Sequence, residues 1–313
     1  KKKTSDLLYS VAVPATSGYQ TMLKNIGSIE NQGYELSIES DNLTGAFSWT
    51  TAFNIAFNRN KVLELGGEEY KEMAEGDGHL KTGSVRRLIV GEPIGVFYGY
   101  RFDGIFQNEE ECKQQTSSAS PIGVGLRRYK DLNGDGKVDA ANDREILGDA
   151  NPKFFGGLTN TFAYKGFELN VFLQYSYGNK ILNYNAMELE NPTGGQNAYA
   201  DMVNRWTPEN PSNIYPKATT NRALLVSDRF IEDGSYLKLK TLSLSYSFPK
   251  INLKHIQGLR LYVTGQNLLT WTKYRGYDPE VSYRGASTLE AGEDFGGYPQ
   301  SRTFMFGIKL DIK

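Results

Sequence analysis

The sequence predicts an all-β fold, a transmembrane antiparallel β-barrel portion of about nine or ten strands with long extracellular loops. Three observations predict it. Apolar and polar residues alternate strictly over stretches of about 11 to 14 residues. A tilted strand needs about 9 to 11 residues to cross a bilayer, whereas soluble strands usually run about five or six. Short and long connections alternate along the chain, the layout of an outer-membrane barrel. The composition is strand-like, with 20 Tyr, 16 Phe and 33 Gly in 313 residues.

Taken in order, a partial strand is read near 4–12 and a full one near 29–40. In 46–58, Phe47, Trp49, Phe53, Ile55 and Phe57 fall on one face, opposite Ser48, Thr50, Ala52, Asn54 and Ala56. Successive side chains of a strand point to opposite sides, so such a segment has one apolar face. Segments 82–91 and 95–106 are read as two further barrel strands joined by "GEPI". Segments 154–164 and 166–178 follow, joined by "KG". In the second, Phe167, Leu169, Val171, Leu173, Tyr175 and Tyr177 oppose Glu168, Asn170, Gln174 and Ser176. Segment 235–248 slips phase: Leu237 and Leu239 are apolar at odd positions, then Leu242, Leu244, Tyr246 and Phe248 at even ones. A β-bulge near Lys240–Thr241 is expected, or a first half that rises above the membrane into a loop wall. Segments 258–271 and 300–312 complete the set, the last with Phe304, Phe306, Ile308, Leu310 and Ile312 on one face.

Phe53, Ile55, Val171, Leu173, Phe306 and Ile308 are therefore expected to face outer-membrane lipid. Trp49, Tyr175, Tyr177, Tyr246, Phe248 and Trp271 lie toward strand ends, where aromatic girdles sit. The long connections are 59–81, 107–153, 179–234 and 272–299. A compact soluble domain has little use for several structureless connections of this length.

Bulk properties narrow the function. Lys+Arg number 35 against 36 Asp+Glu, a net charge of -1. No basic run suggests a DNA or RNA footprint, so no nucleic-acid partner is expected. The single cysteine, Cys112, excludes an internal disulfide. His79 and His255 stand alone and read as surface residues. A mean hydropathy of -0.49 suits a barrel as well as a soluble protein, because half of each strand faces a polar lumen. For an outer-membrane barrel enzyme, a nucleophile with an oriented base or paired carboxylates would be needed. There is no GxSxG, and Glu109–Glu110–Glu111 reads as a solvated loop. A soluble calcium-binding β adhesin would need shorter strands and repeated calcium motifs.

One such motif occurs, "YKDLNGDGKVDAANDR" at 129–144. An EF-hand-type loop takes side-chain oxygens from positions 1, 3, 5 and 9, a backbone carbonyl from 7, and Gly at 6. Counting from Asp131 puts Asn133, Asp135, Gly136, Lys137 and Asp139 in those places, with Val138 able to point inward. Position 12 is Asn142, and Asp143 falls one step late. The segment thus reads either as a calcium-using clip that orders an extracellular loop or as an Asx-rich turn without metal. In the 179–234 loop, Tyr184, Tyr199, Trp206 and Tyr215 are candidates to stack on substrate or pack against a partner. The alternative is that they fold the loop.

The blocks "NIGSIENQGYELSIES", "GEPIGVFYGYRFDGIFQ", "YKDLNGDGKVDAANDR", "NPKFFGGLTNTFAYKGFELNVFLQYSYGNKILN", "RWTPENPSN", "DRFIEDGSYLKLKTLSLSYSFP" and "LRLYVTGQNLLTWTKYRGYDPEV" occur in this order. Together they resemble SusC-like TonB-dependent outer-membrane transporters over nearly the whole chain. The resemblance implies a 22-stranded barrel with an N-terminal plug, residues 1–313 being its C-terminal part. It also implies the outer membrane of a Gram-negative bacterium, energy through a TonB complex, a SusD-like surface lipoprotein as lid, and import of oligosaccharides or peptides. Two departures stand out. The plug and the TonB-contacting segment have no counterpart here, and the chain closes on "DIK" where such barrels commonly end on an aromatic.

Overall fold

The computed structural model describes residues 1–12, 21–73, 76, 79, 80, 82–191, 197–220, 224–249, 256–281, 283–285 and 289–312. His255 lies outside them. Eight long strands form one antiparallel sheet: β1 (Lys2–Ala12), β2 (Thr21–Leu43), β3 (Phe47–Leu65), β4 (Phe154–Tyr164), β5 (Phe167–Tyr177), β6 (Tyr236–Ser247), β7 (Ile256–Thr272) and β8 (Thr303–Ile312). Each pairs with its sequence neighbours, so the order is linear and β1 and β8 lie at opposite edges.

Register turns the alternation into a two-faced wall. One row runs Phe53, Leu158, Leu173, Leu239 and Leu269 across five strands. Another runs Trp49, Phe162, Leu169, Leu244, Val263 and Phe306. Val171 stands between them, paired with Asn160 and Leu242. The expected lipid-facing residues all share this face, and at the β8 edge Phe306 is 82% and Ile308 68% exposed. Aromatic rows bound it. Phe47, Tyr164, Phe167 and Tyr246 line the short-turn end. At the other end Phe57 lies 5.8 Å from Phe154, and Phe154 stacks on Tyr177 at 5.0 Å. Phe167 to Tyr177 spans roughly 34 Å along the strand, or about 25 Å across a bilayer at a 45° tilt, the height of an outer-membrane apolar band. The opposite face is small and polar: Asn170 Nδ2 donates to Thr161 Oγ1 at 2.9 Å, and the Ser243 and Thr264 hydroxyls lie 2.7 Å apart.

The expected "KG" hairpin is a two-residue turn with φ of 47° at Lys165 and 87° at Gly166. Both values lie in the left-handed region that matches strand twist. The phase slip in β6 is a bulge. Leu173 pairs with Leu239 and Phe172 with Thr241, which leaves Lys240 as the extra residue. Lys238 and Lys240 thus both turn from lipid, while Leu237, Leu239, Leu242 and Leu244 stay on the apolar face.

The strand count is corrected from nine or ten to eight among the described residues. Segments 82–91 and 95–106 are not barrel strands. Their strands, Arg86–Ile89 and Val96–Tyr100, belong to a separate four-stranded sheet with Tyr70–Glu72 and Arg144–Gly148. The reason is visible in burial: Val96 and Phe97 are adjacent yet both buried, as are Arg86 and Arg87. These strands are covered on both faces instead of alternating between lipid and lumen. Strands β2 and β3 are longer than expected. Past the aromatic row, at Tyr34 and Phe57, they continue with polar residues such as Glu30, Asn31, Asn60 and Lys61, and β1 pairs with this extension. A single connection, 66–153, therefore replaces two predicted loops and the hairpin between them.

Candidate functional site

The connections 66–153, 178–235 and 273–302 all leave the sheet at its long-loop end, and they fold into one block. Its core draws Leu80, Val85 and Phe97 from the first and Leu182, Tyr184, Met187, Leu224, Val226 and Phe230 from the second. Phe295 of the third packs against it. Short strands interlock the pieces: Lys180–Asn183 pairs antiparallel with Ile231–Asp233 and parallel with Glu293–Asp294.

Buried charge fixes the block further. Arg86 and Glu293 are each 98% buried, with Nε donating to Oε1 at 2.8 Å. The other guanidinium nitrogens donate to the carbonyls of Gly95 and Ala291, and the group lies 4.1 Å over the Phe97 ring. Glu293 Oε2 accepts from Tyr184 Oη and Arg284 Nε, both at 3.3 Å. Glu190, fully buried, accepts from Arg229 at 2.7 Å and Arg275 at 2.9 Å. Toward the lumen, Lys238 Nζ donates to Asp278 at 2.6 Å and Glu280 at 2.5 Å, and Lys240 to Glu280 at 3.0 Å. Burial pushes the Asp278 and Glu280 carboxyls up, but Lys238 with backbone N–H groups at Asp278, and Lys238 with Lys240 at Glu280, more than offset it and hold both below the usual carboxylate range. The bulge that turns both lysines inward thereby anchors the last connection to the barrel wall.

The acidic loop sits within this block. Val138 points inward as expected, buried with Tyr100 and Tyr129. Asp143, though one step late for an EF-hand, closes the loop: it is fully buried and accepts from the N–H of Leu132 and of Asp139, each at 2.7 Å. Asp131 accepts from the N–H of Gly134 and Gly136, each at 2.7 Å, with φ of 75° and 81° at those glycines. Asp135 accepts from the Lys137 N–H, and Asn133 from that of Asp135. Lys137 Nζ lies 3.0 Å from Asp139 and holds its carboxyl below the ordinary range. Among the described residues, no three His, Cys, Asp or Glu side chains converge to hold a metal. The loop's backbone is held by side-chain-to-backbone hydrogen bonds.

The four candidate aromatics do not form one surface. Tyr184 is fully buried in the core, so it folds the loop and presents no ring to a ligand. Tyr199 packs against the same core. Trp206 and Tyr215 are half-buried neighbours: the Trp206 N–H donates to the Tyr215 carbonyl, and its indole Nε1 to Gln107 at 3.0 Å. Tyr215 Oη donates to Asp201 at 3.2 Å. Glu109–Glu111, read as loop, is the first turn of a helix, Glu109–Gln114, capped by Asn108. His79 lies 3.5 Å from Glu188 and stacks on Phe295. Sequence reasoning missed the Arg86–Glu293 pair, whose partners lie 207 positions apart. Its trace was the pair of arginines inside the apolar run "SVRRLIV".

No protein-family model matches the chain. The TonB-dependent receptor P3 of Formosa agariphila is 40% identical over 98% of the chain, which covers 31% of that receptor. The TonB-dependent receptor SusC of Bacteroides thetaiotaomicron is 28% identical over 99% of the chain, covering 29% of SusC. Among solved structures, the RagAB peptide transporter matches with a TM-score of 0.75 at 25% identity, covering 98% of this chain and 32% of its own. The chain thus spans about a third of the length of the relatives it matches. It is similar, over nearly all its residues, to that third of the SusC-like TonB-dependent receptors, and its sheet is a portion of a transmembrane barrel of their kind.

Proposed function

We propose that the chain works as part of an outer-membrane importer of oligosaccharides or peptides in a Gram-negative bacterium, energised through TonB and closed by a SusD-like surface lipoprotein. The carrying observation is similarity to TonB-dependent receptors along almost every residue, on a sheet whose apolar face has bilayer height. The names of the relatives are those of receptors, which favours transport over a barrel enzyme. RagAB is a peptide transporter, so peptides are the first class to test. The linear sheet leaves two edges unpaired, and bare edges are not tolerated in hydrocarbon. In this reading β1 and β8 pair with further strands of the same barrel, around a plug. Deleting the gene should abolish growth on one class of peptide or oligosaccharide, and the full gene, but not residues 1–313 alone, should restore it. The full protein should also co-purify with a surface lipoprotein. Undiminished uptake of every such nutrient in the deletion strain, or active uptake by residues 1–313 alone, would refute the reading.

The acidic loop is, in the same proposal, a clip that orders the 66–153 connection. Calcium would enter through Asp131, Asn133, Asp135 and the Lys137 carbonyl, and it would have to displace the Lys137 ammonium from Asp139. Asp143→Ala should loosen the loop by about 1 kcal/mol or a little more, because two part-buried N–H groups lose their shared acceptor. That loosening is read as faster proteolysis between 130 and 145. Calorimetry at millimolar calcium should show no binding; heat in the wild type that Asp131→Ala removes would assign a metal to the clip.

A further inference from the structure

A cavity of about 40 Å³ lies inside the loop block, lined by Arg127 together with Ser120, Leu126, Tyr129, Asn191, Pro216 and Leu224. One water needs roughly 10 to 15 Å³ on this measure, so the space suits a small anion or about three waters. Pro121, exposed, stands at its rim.

Arg127 is 91% buried. Its Nη2 donates to the Glu190 carbonyl at 3.2 Å, and its Nε has no hydrogen-bond partner among the described residues. The neighbouring Glu190 carboxylate attracts Arg127 through space, but its oxygens bond other cations directly, Oε1 to Arg275 and Oε2 to Arg229. Arg275 is in turn shared with Glu232 at 2.8 Å. Three guanidinium groups thus share two carboxylates, and the one left over is the one that faces the cavity. A buried charge whose nearest carboxylate is already shared with two other cations is unfavourable. A guanidinium matches a planar carboxylate through paired N–H groups, and Ser120 and Asn191 bring a hydroxyl and an amide to the same lining.

We propose that this cavity is a carboxylate-binding site in which Arg127 supplies the counter-charge. The carboxylate comes either from a free small acid or from the C-terminus of a short peptide. The test is amide hydrogen exchange on the full purified protein in detergent, at constant ionic strength, so it reads binding and is independent of transport. Acetate at ten times its dissociation constant should slow exchange at residues 127–129 and 190–191 by about tenfold, while chloride should not. Arg127→Met should abolish the acetate effect, and Arg127→Lys should keep part of it. Tri-alanine with a free C-terminus, active where its C-terminal amide is not, assigns the peptide source; acetate alone acting assigns the free acid. An unchanged wild type in acetate, an equal response to chloride, or an Arg127→Met protein that responds like the wild type overturns the proposal.

Discussion

Arg86→Met should free the last connection from the loop block, at a cost of about 3 to 5 kcal/mol. The size follows from what remains. Glu293 keeps its carboxylate 98% buried, with Tyr184 and Arg284 left to answer it among the described residues, and the Gly95 and Ala291 carbonyls lose their donors. Removing one partner of a buried pair is far costlier than removing both. The double variant Arg86→Met with Glu293→Leu should accordingly recover most of the loss. Limited proteolysis of the intact protein at 273–302 reads the effect. A single variant cleaved no faster than wild type would mean that the ion pair contributes nothing to holding this connection.

The second large effect belongs to the membrane face. Val171→Arg places a charge at the middle of β5, between the aromatic rows and among Asn160, Leu242, Leu158 and Leu173. About 2 to 4 kcal/mol is expected at the bilayer midplane. Asn170→Arg, one residue away on the polar face, should cost far less. Urea titration of the protein folded into lipid vesicles compares the two; equal costs would show that the faces are misassigned.

The barrel wall was legible because lipid and lumen impose a period of two on every long strand, and even the slip at Lys240 showed as a change of parity. The loop block was not. Arg86–Ile89 and Val96–Tyr100 are short and buried on both faces, so their apolar runs look like bilayer strands when read in isolation. Tyr184 illustrates the same limit for the site: a loop aromatic in sequence is a core residue once three connections share one interior. Asp143 shows the converse. Its late position spoils a calcium count, yet it is what lets the carboxylate reach Leu132 and Asp139.

That shared interior also constrains how such a protein can diversify. A loop exchanged alone between two relatives would arrive with one half of the Arg86–Glu293 pair, or one side of the Phe97–Tyr184–Phe295 packing, and meet a stranger. The smallest unit that can be inherited intact is the set of three connections with the strand ends that anchor them. Chimeras that exchange 66–153, 178–235 and 273–302 together should assemble where single-loop chimeras fail, so these loops would be replaced only as whole mouths.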